Sequence, residues 1–187
     1  MKILDKFCWF LLILIVSEVS AQQHAISSIK ESSSLKVQKS IRTSTASSGK
    51  NQVFFAMLEG TDFADLLDLP GPFTVFAPSD LAFQNVLGSS ITELLHPDNK
   101  EELKAFIGYH IVAGNLSASN ILKALSRGKG TTTFTTLQGD IITATMNGLD
   151  IVLSDSYGSK ASIVVADSNQ RNGVIHEIDG IIRPGKM

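Results

Sequence analysis

Ile142-Thr143-Ala144-Thr145-Met146-Asn147-Gly148-Leu149-Asp150-Ile151-Val152-Leu153 carries the strongest local signal in this chain. Asn-Gly is a preferred pair for a two-residue hairpin turn, because glycine accepts the positive φ that the turn needs. With the turn centred there, Met146 pairs with Leu149, Ala144 with Ile151 and Ile142 with Leu153. All six are apolar, and side chains alternating with period 2 place them on one face. The other face receives Thr145 with Asp150 and Thr143 with Val152. Turn chemistry and hydrophobic pattern both predict an antiparallel hairpin.

Further strands extend outward from the hairpin. Ile163-Val164-Val165-Ala166 is an unbroken apolar run, which predicts a strand covered on both faces. Val174 to Ile182 has apolar residues on both parities. Thr74 to Ala77 and Tyr109 to Val112 complete the expected strands. Helical patterns dominate the first half. Thr61 or Asp62 caps a turn carrying Phe63, Leu66 and Leu67, stopped by Pro70. Ser79 caps a segment with Phe83, Val86 and Leu87. Leu103, Phe106 and Ile107 share one face after Asp98. Ser117 or Ser119 opens a helix with Ile121, Leu122 and Leu125, closed by Gly128. Helices followed by mostly antiparallel strands predict an α+β domain.

The N-terminal 48 residues read differently. Lys2 and Lys6 precede ten apolar residues, Phe7 to Val16. As a helix the run reaches about 15 Å, half a hydrocarbon core. It is too short to span and suits the core of a signal peptide, with Val19-Ser20-Ala21 as the cleavage site. Residues 1–21 are therefore expected to be removed, and with them Cys8, the only cysteine. Residues 22–48 are rich in Ser, Thr, Lys and Gln and read as a flexible linker, because they cannot bury enough apolar area to offset their ordering entropy. Residues 49–187 form the expected domain. The product is expected to be exported: extracellular, or periplasmic in a bacterial host.

The 187 residues carry 16 Lys and Arg against 18 Asp and Glu, a formal net charge of −2. That balance argues against a dedicated nucleic-acid binder. The histidines His24, His96, His110 and His176 show no i+3 to i+5 pairing, so no zinc template is visible. Neither a Gly-x-Ser-x-Gly elbow nor, after processing, a thiol nucleophile is present. Asn115-Leu116-Ser117 is an N-glycosylation acceptor sequence. Arg127-Gly128-Lys129-Gly130 is a small basic turn that reads as an ordinary solvated loop, with contact to an anionic polymer as its functional alternative.

Four segments in order carry a family resemblance. Gly71-Pro72-Phe73-Thr74-Val75-Phe76-Ala77-Pro78-Ser79-Asp80 resembles the first block of fasciclin (FAS1) domains. Leu94-Leu95-His96-Pro97-Asp98, continuing to Tyr109-His110-Ile111-Val112-Ala113-Gly114, resembles the central Tyr-His region. Thr136-Leu137-Gln138-Gly139 is similar to a strand-opening motif, and Asn172-Gly173-Val174-Ile175-His176-Glu177-Ile178-Asp179 to the last block. The resemblance implies a FAS1-like β-sandwich or wedge with helices packed at one side, and a non-catalytic adhesion or matrix-binding module. The stretch before Gly71 is short for the family, so its first helices are either trimmed or supplied by the preceding segment. Integrin binding does not carry over: Arg-Gly-Asp is absent, and Asp150-Ile151 lies in the hairpin rather than near the last block.

Tyr109 and His110 match the family's proposed interaction motif and are the candidate binding residues. On a strand, alternation turns one of them inward; His110 is expected to be buried and hydrogen-bonded, with Tyr109 nearer the surface. A structural role is favoured for His110 and for His176. No catalytic residue, metal or cofactor is expected. The expected partner is a cell-surface or matrix protein or a polysaccharide, without nucleic acid or stable membrane insertion, and the chain is expected to be a monomer or weak oligomer. The alternative is a glycan or small-ligand binding protein, with its groove between helices and sheet.

Overall fold

Strands β1 (Phe73–Pro78) and β7 (Gly173–Ile178) run side by side in parallel, paired from Phe73–Gly173 to Pro78–Ile178. They form the centre of a computed structural model that describes residues 38–45, 49–88 and 90–185. The expected signal peptide and most of the expected linker lie outside these residues. Seven strands form one sheet in the order β2-β1-β7-β6-β5-β4-β3. The others are β2 (Ile111–Ala113), β3 (Thr131–Thr135), β4 (Ile141–Asn147), β5 (Asp150–Ser154) and β6 (Lys160–Gln170). A bridge between Val112 and Thr136 links the two ends of this order, so the sheet folds into a nearly closed wedge.

Two apolar cores result. β1 alternates between them: Val75 and Ala77 face the first, Phe76 the second. The first core lies under the helices α1 (Ile41–Thr45), α2 (Gln52–Glu59), α3 (Phe63–Leu66), α4 (Asp80–Val86), α5 (Ser90–Leu94) and α6 (Lys100–Tyr109). The second fills the wedge, where α7 (Ala118–Arg127) inserts Ile121 and Leu125 against Ile142, Ala144 and Leu153. β1 and β7 have a core on each side, which is why both carry apolar residues on both parities.

Caps fix the helix starts. Ser79 Oγ accepts from Ala82 N–H at 3.1 Å, as its position predicts. Ser117 does the same for Asn120 at 3.3 Å, and Asp167 Oδ1 adds a bond from Ala118 N–H at 2.8 Å. Asp80 Oδ1 accepts from Val53 N–H at 2.9 Å and so serves the neighbouring α2. Gly128 closes α7 for a reason other than the one expected. Its φ is −85°, but a Cβ there would lie 1.9 Å from the Thr131 carbonyl oxygen, so closeness of backbone and not left-handed geometry demands glycine.

The expected hairpin forms with a shifted register. Asn147 pairs with Asp150, Met146 with Ile151, Thr145 with Val152 and Ala144 with Leu153. The turn is Gly148-Leu149, with positive φ (63°) at Gly148 alone, which fits a type II′ turn rather than type I′. Leu149 leaves the apolar face for the turn tip, where it is 96% exposed. The faces themselves are as expected, because a two-residue slide preserves parity.

Three further expectations are corrected. Tyr109 ends α6 and His110 caps it, so the strand there begins only at Ile111. β6 is not covered on both faces: Val164 and Val165 are 52% and 44% exposed. Register shifts on both sides of Val165 bend the strand and turn these residues outward. Residues 38–45, expected as part of the flexible linker, pack on the domain. Ile41 is fully buried, and Arg42 grips Glu59 through two bonds of 2.7 and 2.9 Å and Asp65 at 2.7 Å. The preceding segment thus supplies a short helix to the domain.

Candidate functional site

The candidate pair sits where α6 gives way to β2, and its two side chains enter opposite cores. Tyr109, the last residue of α6, belongs to the wedge core and is 1% exposed. Its hydroxyl donates to the Ile141 carbonyl at 2.9 Å. Burial, then the Asp155 and Asp140 carboxylates, raise the phenol above its usual range and keep it protonated. Tyr109 was expected nearer the surface than His110, but both side chains are buried. Helical geometry separates successive side chains by about 100°, which lets neighbours enter different cores.

His110 is fully buried on the helix side, with its ring centroid 4.7 Å from that of Phe106 and 5.4 Å from that of Phe54. Its Nδ1 lies 2.8 Å from the Phe106 carbonyl oxygen. A carbonyl only accepts, so Nδ1 carries the proton and donates. Nε2 is buried with no partner among the described residues. Protonating it would place a charge in an apolar pocket, and burial pushes the imidazole down to about 4. The buried His110 imidazole is therefore neutral at physiological pH.

His176 holds the other side of the sheet. Its Nε2–H donates to the Leu116 carbonyl at 2.7 Å, its Nδ1 accepts from Asp167 N–H at 3.3 Å, and its ring stacks on Phe76 at 5.6 Å. Burial lowers its pKa as well. Thr74 ties the same loop, donating to Gly114 O at 2.7 Å and accepting from Leu116 N–H at 2.9 Å. Ser79 and Asp80 both serve as caps, and the His110 ring faces aromatic groups, so the three do not assemble into a nucleophile and base. His96 is exposed beside Asp98, and His24 lies outside the described residues. Among the described residues no group of three His, Cys, Asp or Glu is placed to hold a metal ion, and no helix is long and apolar enough to cross a membrane.

Sequence reasoning gave no role to Asn172, which fastens three segments. Its carboxamide donates to Leu67 O at 2.6 Å and Leu69 O at 2.9 Å, and accepts from Ile41 N–H at 2.9 Å. Beside it lies a depression of about 660 Å³, lined by Asp68, Pro70, Pro72, Asn115, Gln170 and Arg171 and by the backbone of Gly71, Asn172 and Gly173. The sequence signals here, among them the Asn172-Gly173 dipeptide, the cation before it and the Asn115 acceptor sequence, reveal no cavity.

A family model described as the Fasciclin domain matches residues 49–184. The chain belongs to the fasciclin domain family. Among similar proteins, Protein sll1483 of Synechocystis is 31% identical over 129 residues, covering 69% of this chain and 64% of that protein. Immunogenic protein MPB70 of Mycobacterium bovis is 31% identical over 114 residues, covering 61% and 51%. Human Stabilin-1 is 30% identical over 131 residues, covering 70% of this chain but 5% of that protein. The match therefore spans 64% of the first relative's length and far less of the stabilin. A solved FAS1 domain pair from the insect cell adhesion molecule Fasciclin I superposes with a TM-score of 0.67 at 21% identity, covering 76% of this chain and 50% of that one. This fasciclin domain shares that fold, with the α+β wedge and its flanking helices.

Proposed function

We propose that this fasciclin domain is an exported adhesion or matrix-binding module that acts by non-covalent contact. One observation carries the reading. Tyr109, His176, Ser79 and Asp80 are tied up in hydrogen bonds that close the fold, and His110 is fully buried with Nδ1 bonded to Phe106 O, so what the domain offers a partner is a rigid surface. The adhesion role named for the insect protein supports it. A lone module makes a weak contact, and clustering on a surface raises attachment through avidity.

Beads coated with the protein at graded density test this. Attachment to cells or matrix, normalised to folded protein, is expected to rise more steeply than density. Absence of attachment at every density would overturn the reading. A second reading, glycan or small-ligand binding, is favoured by the depression beside Asn172, whose volume lies within the range of ligand sites.

A further inference from the structure

The depression beside Asn172 is built largely of groups that have nothing left to give a ligand. Asn172 uses both ends of its carboxamide within the fold. Gly71 and Gly173 contribute bare backbone, because a Cβ would lie 2.1 Å from Asn172 O at the first and 1.9 Å from Phe73 O at the second. Asp68 is engaged in the fold: Oδ1 accepts from Ser40 Oγ at 2.5 Å, and Oδ2 lies 3.7 Å from Arg42 Nη1, a cation it shares with Glu59 and Asp65. Gln170 is turned onto Ser168.

Two lining side chains have no hydrogen bond or ion pair among the described residues: the Arg171 guanidinium and the Asn115 carboxamide. Arg171 uses only its backbone N–H, on Lys39 O at 2.9 Å, which fixes where its side chain starts. Arginine keeps its charge and presents a planar fork of donors that matches a carboxylate through two parallel bonds. Asn115 can both donate and accept, as a sugar hydroxyl requires. Pro70 and Pro72 add apolar ring surface suited to the C–H face of a sugar. What the lining leaves for an anionic ligand is a single cation beside an amide and an apolar wall.

We infer that this depression binds a carboxylated sugar, a uronate residue of an acidic polysaccharide. Arg171 holds the carboxylate, Asn115 a neighbouring hydroxyl, and the proline rings the sugar face. The site is open to solvent, so the residue it takes belongs to a continuing chain. This inference rests on the polysaccharide form of the binding function proposed above and names its ligand class.

The test uses the full chain produced in a bacterial host, so that Asn115 in its Asn-Leu-Ser sequence stays unmodified. Calorimetric titration with a galacturonate hexamer is compared with titration by its methyl ester, which keeps the hydroxyls and loses the charge. The acid is expected to bind at least about tenfold more tightly than the ester, the scale of one charge-assisted contact. Arg171→Gln should weaken binding by a similar factor with an unchanged melting temperature, since its head group has no partner in the fold. The double variant Lys123→Gln, Arg127→Gln, which removes exposed cations on α7, should bind like the parent. Equal binding of acid and ester, unaltered binding by Arg171→Gln, or loss in the α7 variant would each overturn the site. Bead attachment run in parallel separates the two proposals: attachment without hexamer binding sinks only the uronate site, whereas hexamer binding without attachment sinks only the adhesive function.

Discussion

His110 Nδ1 lies 2.8 Å from the carbonyl oxygen of Phe106, one helical turn earlier, and occupies it as donor. The ring's other nitrogen then has only a buried lone pair to offer. With the folded value near 4 and the unfolded value near 6.5, the unfolded chain takes up the proton first. Stability from this residue is complete above pH 6.5 and falls as pH drops from there toward 4. The loss is about 3 kcal/mol at the lower end. His176, also lowered, acts in the same direction. Denaturant midpoints between pH 8 and 4 check this, and His110→Gln should flatten the dependence. A midpoint independent of pH in the parent protein would refute it.

Tyr109 fills the wedge core and donates to Ile141 O. Tyr109→Phe removes one hydrogen bond and should cost about 1–2 kcal/mol. Tyr109→Ala also opens a cavity and should cost about 3–5 kcal/mol. In both variants attachment per folded molecule should stay at the parent level. If attachment disappears in a Tyr109→Phe protein that melts like its parent, the hydroxyl belongs to a contact.

Asn172 should be among the costlier polar positions. Asn172→Ala leaves Leu67 O, Leu69 O and Ile41 N–H without their partner, a loss of about 3 kcal/mol. Hydrogen exchange should show the amides of residues 41–45 opening first. Unchanged protection there would mean that the buried Ile41 side chain and the Ser40 and Arg42 contacts hold the segment without Asn172.

At Gly148 a Cβ meets nothing within 4 Å, but φ is +63°. Gly148→Val should therefore cost about 1–3 kcal/mol through backbone strain alone. Gly148→Ala should lose stability too, since conformation and not volume is at stake. Chemical denaturation of both variants measures this, and an Ala variant as stable as the parent would count against a strained turn.

What could be read from sequence follows from what each signal encodes. Alternation between Ile142 and Leu153 placed Ile142, Ala144, Ile151 and Leu153 on the core face, where the structure buries them, whereas Met146 and Leu149 near the turn are exposed. It could not fix the register, because sliding one strand by two residues changes no face. Ser79 and Ser117 were legible because a cap acts within three residues. Tyr109-His110 was misplaced because its apolar neighbours Ile107, Ile111 and Val112 fit a strand as well as a helix end. Asn172 was silent because its partners lie 103 to 131 residues away. The depression is likewise the product of distant segments meeting, which local pattern does not record.

The parallel pairing of β1 with β7 has a mechanical consequence. A chain that anchors one body to another is stretched from its two ends. Tension entering before Phe73 and leaving after Ile178 pulls the two strands past one another along their length. The six residue pairs that join them then resist together instead of opening one after another, as an antiparallel pair peeled from its end would do. Before these two strands can slide, the load must drag Val75 and Phe76, with Ile175 and Ile178, out of two cores at once.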